Sequence, residues 1–105
     1  MDADGIHGQL DTLILATLNR GEAHGYAIIT ALKELSGDRL DLPSGTVYPA
    51  LRRLERAGSI SGTWTEGPGR RRRVYALTGD GAKALEKGLS DWRSLREVMG
   101  AVLEA

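Results

Sequence analysis

The sequence contains no cysteine. That excludes a disulfide framework and a thiolate metal site, and with them the class of small secreted domains stapled by bridges. Long hydrophobic runs are also missing. No strongly apolar stretch exceeds four residues, as in Leu13-Ile14-Leu15-Ala16, far short of a membrane span or a signal-peptide core. A soluble cytoplasmic chain with no membrane partner is expected. Catalytic signatures are absent too: there is no P-loop, no G-x-S-x-G, no H-E-x-x-H and no carboxylate pair beside a nucleophile pattern. Neither an enzyme nor a bound cofactor is expected, and with His7 on a loose terminus no metal site is expected either. Net charge is the last absence, since 14 Lys+Arg balance 14 Asp+Glu. Taken alone, that balance argues against a nucleic-acid partner.

The distribution of charge reverses this argument. Residues 39–78 hold eight arginines (Arg39, Arg52, Arg53, Arg56 and Arg70 to Arg73) against Asp41, Glu55 and Glu66, a local charge of +5. The rest of the chain carries −5. Net charge says nothing about where charges sit, and arginine is the side chain suited to forked recognition of phosphate and guanine. A solvated surface is the bland alternative.

A length of 105 residues fits one domain with at most an appended element. Leu10, Leu13, Ile14, Ala16 or Thr17, and Leu18 have helical spacing, and Asn19-Arg20-Gly21 supplies a stop. After a short connection at Glu22 to Gly25, Tyr26, Ile28, Ile29, Leu32 and Leu35 predict a second helix with one buried face. Ser44 is the expected N-cap of a third, with Val47, Ala50, Leu51 and Leu54 inward and Arg52, Arg53 and Arg56 on or beside the opposite face. Pro49 predicts an irregular first turn or a later start. The period then changes to two over Ile60–Thr65 and Arg73–Leu77, a β-hairpin with a loop, Glu66 to Arg70, too long for a two-residue turn. Thr78 caps a last helix, whose start is weakened by Gly79 and Gly81. It runs to about Leu103 with Ala82, Leu85, Leu89, Trp92, Leu95, Met99 and Val102 in one stripe, close to a heptad seam. Three short helices and a hairpin cannot cover that length, so the stripe is expected to pack on another chain.

Helix, helix, arginine-bearing helix and basic hairpin, in that order, is the winged helix-turn-helix pattern, in a mainly α (α+β) chain. The wing would be two-stranded and the C-terminal helix would dimerise. Residues 1–9 read as a loose N-terminus, 10–78 as the DNA-binding domain and 79–105 as the dimerisation helix. The third helix would enter the major groove, and the arginine hairpin would reach phosphates or the adjacent minor groove.

The sequence resembles the PadR family of bacterial transcriptional regulators from about Leu13 to Leu103. The markers are His24-Gly25-Tyr26, the run Gly45-Thr46-Val47-Tyr48-Pro49-Ala50-Leu51-Arg52-Arg53-Leu54-Glu55, Gly58-Ser59-Ile60, Gly69-Arg70-Arg71-Arg72-Arg73-Val74-Tyr75 and Leu77-Thr78. Many members have Leu at the position of Val47. The resemblance implies a homodimeric winged-helix repressor on a near-palindromic operator in double-stranded DNA. With one C-terminal helix, the chain is similar to the short subgroup. In some short relatives, flat aromatic or cationic compounds lie between paired tryptophans at the subunit interface, and Trp92 matches that position. The acidic residue one turn later in one such relative is Arg96 here, which argues against a cationic ligand.

The candidate DNA contacts are therefore Ser44, Thr46, Tyr48, Arg52, Arg53, Arg70, Arg71, Arg72 and Arg73. Ser44 and Thr46 could donate to phosphates at a helix N-terminus. Tyr48 is either a phosphate contact or a core tyrosine. Base and phosphate contact both stay open for Arg52 and Arg53. Because a strand alternates faces, three of the four wing arginines are expected to approach DNA. The candidate dimer seam is Leu85, Leu89, Trp92, Leu95, Met99 and Val102, with Trp92 also the candidate contact for a small aromatic effector that would bind between subunits and release the repressor from DNA. His24 reads as a structural turn residue. A protein-interaction adaptor on the same fold is the alternative function.

Overall fold

The computed structural model describes residues 9–105. The N-terminal segment expected to be loose lies, apart from Gln9, outside the described residues, as does His7. Four helices and three strands follow in the order α1 (Leu10–Asn19), β1 (Ala23–His24), α2 (Gly25–Leu35), α3 (Ser44–Arg56), β2 (Ile60–Gly67), β3 (Arg70–Leu77) and α4 (Gly79–Leu103). The three strands form one antiparallel sheet in the order β1-β3-β2.

The apolar spacing read from the sequence forms one core. Ile14 of α1, Ile28 of α2, Val47 and Leu51 of α3, and Ile60 of β2 are its most deeply buried large side chains. Thr17, not Ala16, takes the ambiguous inward position on α1, and its hydroxyl donates to the Leu13 carbonyl, 3.0 Å away. On α2 the buried face is narrower than expected. Ile28 and Leu32 are inside, whereas Tyr26 and Leu35 are exposed. The loop after α2 contributes Leu40 and Leu42 to the core.

Four other local expectations are corrected. First, the N-cap of α3 is Pro43, and Ser44 is the first helical residue, with no side-chain cap. The Pro43 carbonyl accepts from the amides of Thr46 and Val47 instead. Second, Pro49 sits inside a continuous α3. Pro49 and Gly45, whose carbonyl the ring crowds, are both exposed, so solvent can replace the lost hydrogen bond. Third, the hairpin turns on two residues. Gly67 pairs with Arg70, leaving Pro68 and Gly69 as the loop. Proline fixes its own φ near −65° and Gly69 takes φ +96°, as a type II turn requires. Fourth, the connection before α2 contains a strand. Ala23 and His24 pair with Tyr75 and Val74, which turns the two-stranded wing into a three-stranded sheet at its base.

The last helix behaves as expected at its ends. The Thr78 hydroxyl accepts from the Gly81 amide at 3.0 Å, and the helix runs to Leu103. At 1.5 Å per residue, its 25 residues span roughly 37 Å. Only its first turns meet the body, where Ala84 and Leu85 pack against the core. From Leu89 onward its apolar side chains are exposed.

Candidate nucleic-acid interface

Helix α3 buries Val47, Ala50, Leu51 and Leu54, which leaves Gly45, Tyr48, Pro49, Arg52 and Arg56 on the outward side. Beside it stands the hairpin, with Arg70, Arg71 and Arg72 exposed and Arg73 half-buried. Between hairpin and helices lies a cleft of 530 Å³ lined by His24, Gly25, Tyr26, Tyr48, Trp64, Tyr75 and all four wing arginines. The fold thus brings Tyr48 and Arg70 to Arg73 to one concavity. Ser44 and Tyr48 also border a second cleft with Tyr26, Lys33 and Asp41. Thr46 is half-buried at the start of α3.

The arginines are not equivalent. Arg52, Arg56 and Arg70 have no ion-pair partner among the described residues. Arg53 points towards α1, where its Nη2 donates to Asp11 Oδ1 at 2.5 Å. Both groups are well exposed, so this pair contributes little to stability and can open. Arg71 lies 3.5 Å from Glu66 and 4.7 Å above the Trp64 ring. Arg72 Nη1 is 3.1 Å from His24 Nε2. His24 Nδ1 already accepts from the Ala27 amide to cap α2. A neutral imidazole has one acceptor nitrogen, so the ring either caps α2 or accepts from Arg72, not both at once. Arg72 is therefore loosely held.

Arg73 is the exception. Its guanidinium is paired with Glu55 of α3 and lies 5.4 Å from the Trp64 ring. The Glu55 hydrogen bond raises its pKa further, against a smaller opposing effect of desolvation. Next to this pair, Tyr75 is buried. Burial pushes its phenol above the ordinary 10.0, and the Glu55 charge adds to this while Arg73 and Arg52 oppose it. The neutral phenol is thus favoured in the folded state. Its contribution to stability is complete below pH 10 and is lost as pH rises through the raised native value. A 295 nm difference titration of the parent against Tyr75→Phe should place the Tyr75 step above pH 10, and a step at or below 10 would mean that the ring is not shielded.

A second cavity, of 390 Å³, lies between α1 and α4. It is lined mainly by Thr12, Leu13, Ala16, Leu85, Leu89 and Trp92. Gly88 allows the close approach of the two helices there, since a Cβ on it would stand 2.2 Å from Thr12 Oγ1. Of the seam residues, Leu85, Leu89 and Trp92 face this cavity, Leu85 also packing on the core, and Leu95, Met99 and Val102 continue along the exposed helix. The Arg96 guanidinium lies 4.7 Å over the Trp92 ring.

The sequence model of the Transcriptional regulator PadR-like family matches residues 14–87. The chain belongs to this family. A transcriptional regulator of Clostridium thermocellum has a similar structure, with TM-score 0.89 and 28% identity over 97% of each chain. A PadR family transcription regulator of Clostridium difficile gives TM-score 0.78 and 33% identity over 90% of this chain and 97% of its own. The transcriptional regulator YqjI of Escherichia coli is 33% identical over 91 residues, 87% of this chain but 42% of that protein, so the chain spans less than half of it. As a PadR-like regulator the chain is not an enzyme. The His24-Gly25-Tyr26 marker of the PadR resemblance also acquires a physical reason. The Tyr48 ring lies over Gly25, where a Cβ would come within 2.7 Å of three of its atoms. Tyr48 is thus a partly exposed residue seated on the start of α2 rather than a core tyrosine.

Sequence reasoning missed Trp64, Glu55 and Tyr75 as parts of this site. The signal for Trp64 was strand alternation, but it needed the hairpin register. With a two-residue turn, Trp64 falls opposite Arg73.

Proposed function

We propose that this chain is a homodimeric, sequence-specific DNA-binding repressor. Each subunit would place α3 in a major groove of a near-palindromic operator, with its wing on the flanking backbone. The observation that carries this reading is the concentration of exposed arginines on α3 and the adjoining wing in a chain with no net charge. Arg52 and Arg56 project from α3, and Arg70, Arg71 and Arg72 stand on the adjoining wing. An adaptor surface has no need of this pairing. Ser44, Thr46 and Tyr48 lie at the N-terminal end of α3, where unpaired amides attract phosphate. The reading removes Arg73 from the phosphate contacts, because Glu55 already holds it, and leaves Arg53 as a contact only if it leaves Asp11.

A small aromatic effector would enter the Trp92 cavity. It would release DNA by favouring a subunit arrangement whose two α3 helices no longer match the groove spacing. Arg96 over Trp92 favours a neutral or anionic aromatic over a cationic one.

Arginine–phosphate contacts release counterions, so affinity should fall steeply with salt. An Arg70→Ala, Arg71→Ala variant should bind all sequences more weakly, with its log–log salt slope flatter by up to about 2. Gel-shift titrations with the chain's own promoter region at two salt concentrations check this. Parental affinity in the double variant at moderate salt would contradict the wing assignment, and no saturable shift by the parent at low salt would favour the adaptor.

A further inference from the structure

The hairpin is anchored at its base and free at its tip. Ile60 and Tyr75 are buried and Leu77 packs against the core, whereas β2 from Thr63 to Gly67 and β3 from Arg70 to Arg72 are exposed. β1 supports only Val74 and Tyr75. A two-stranded ribbon is marginally stable alone, so its angle to α3 depends on side chains that cross the gap. Among the described residues, Arg73–Glu55 is the one ion pair joining α3 to the hairpin. The side chains of its partners are 28% and 29% exposed, less than those of any other ion pair described above, and so less screened by solvent and salt.

The path of Arg73 is shaped for this contact. The guanidinium lies over Gly62, where a Cβ would stand 2.7 Å from Nε. Trp64 flanks it, with its ring 5.4 Å away. Glu55 itself is one of three acids in the +5 segment, and it sits at the surface proposed to meet a polyanion. A carboxylate there repels phosphate. Its charge is a disadvantage for contact and an advantage for holding Arg73.

We infer that Glu55 is a positioning residue for DNA recognition, fixing through Arg73 the angle between the wing and α3 so that both meet one operator half-site. This rests on the DNA-binding reading above. It also predicts a sign opposite to simple electrostatics. Removing a negative charge from a DNA-facing surface should tighten binding to every duplex. Under the positioning role, Glu55→Gln lowers affinity for DNA selected by the parent from a genomic pool by about tenfold, the scale of one lost base contact. Affinity for a scrambled duplex is kept or rises. Hydrogen exchange of the free protein should quicken at the Thr63–Gly67 amides. The charge-swapped Glu55→Arg, Arg73→Glu variant should recover part of the selectivity that Glu55→Arg alone loses. Where the parent binds, selected-DNA affinity in Glu55→Gln equal to or above the parent's overturns the positioning role alone. A parent that binds no duplex at low salt overturns the proposed function, and this role with it.

Discussion

A Leu95→Glu, Met99→Glu variant is expected to sediment as a monomer at micromolar concentration and to lose operator affinity by about a hundredfold or more. The side chains concerned are 46% and 48% exposed in the single chain, and Val102 further on reaches 71%. Leu89, Trp92, Val98 and Leu103 extend the same apolar surface. A contiguous patch of this kind marks an interaction surface. Its spacing from Leu85 to Val102 keeps to the threes and fours of a seam between helices. Burying a Leu or Met side chain contributes about 1.5–3 kcal/mol. A dimer would lose that at four positions and would also have to desolvate four carboxylates. The effect on DNA follows from geometry, because a monomer engages one half-site and forfeits the effective concentration that tethering gives the second. Analytical ultracentrifugation and gel shift check the two halves of this expectation separately. A dimeric double variant would move the interface off this face of α4.

The residues that were legible share one property: their placement follows from periodicity within a single element. The inward faces of α1 and α3, the Thr78 cap and the end of α4 near Leu103 all follow from spacing and capping chemistry. What was not legible depended on contacts between elements. Two residues of β1 have no period to read, and only their pairing with Tyr75 and Val74 makes them a strand. The composition of Glu66 to Arg70 read as a loop too long for a two-residue turn, yet Gly67 pairs with Arg70, and that pairing sets the register of every wing residue. Without register, Trp64 could not be placed opposite Arg73, nor Arg73 aimed at Glu55. Ser44 looked like a cap by residue type, yet Pro43, already extended at φ −71° and ψ 151°, occupies that position. The central charge excess was visible early. Its division into arginines that are unpaired, loosely held or committed to a carboxylate required the fold.

The start of α4 offers the other large effect, and here two local rules disagree in sign. Alanine is a better helix former than glycine by about 0.8–1.0 kcal/mol, so propensity alone predicts that replacing either Gly79 or Gly81 stabilises the protein. At Gly79 nothing lies within 4 Å of an added Cβ, and Gly79→Ala should keep or raise the unfolding midpoint. At Gly81 the same methyl would stand 1.9 Å from the Ser59 carbonyl oxygen and 2.9 Å from its carbon. These are backbone atoms and cannot swing aside. The Ser59 carbonyl also accepts from the Thr78 amide, and the Thr78 hydroxyl is 2.6 Å from the Gly58 carbonyl, which clips α4 to the turn after α3. Gly81→Ala must pry this clip open. Overpacking costs about 1–3 kcal/mol where side chains can relax, and a rigid turn puts this site at the upper end. The midpoint should fall by about 10 °C or more in a domain of this size. Thermal melts of the two variants beside the parent decide between the rules. An unchanged or higher midpoint for Gly81→Ala would show that the turn yields. The consequence for function is directional. The clip sets the angle at which α4 leaves the winged domain, and in a dimer built on α4 that angle sets the distance between the two α3 helices. A Gly81→Ala protein that still folds should therefore prefer operators with altered half-site spacing.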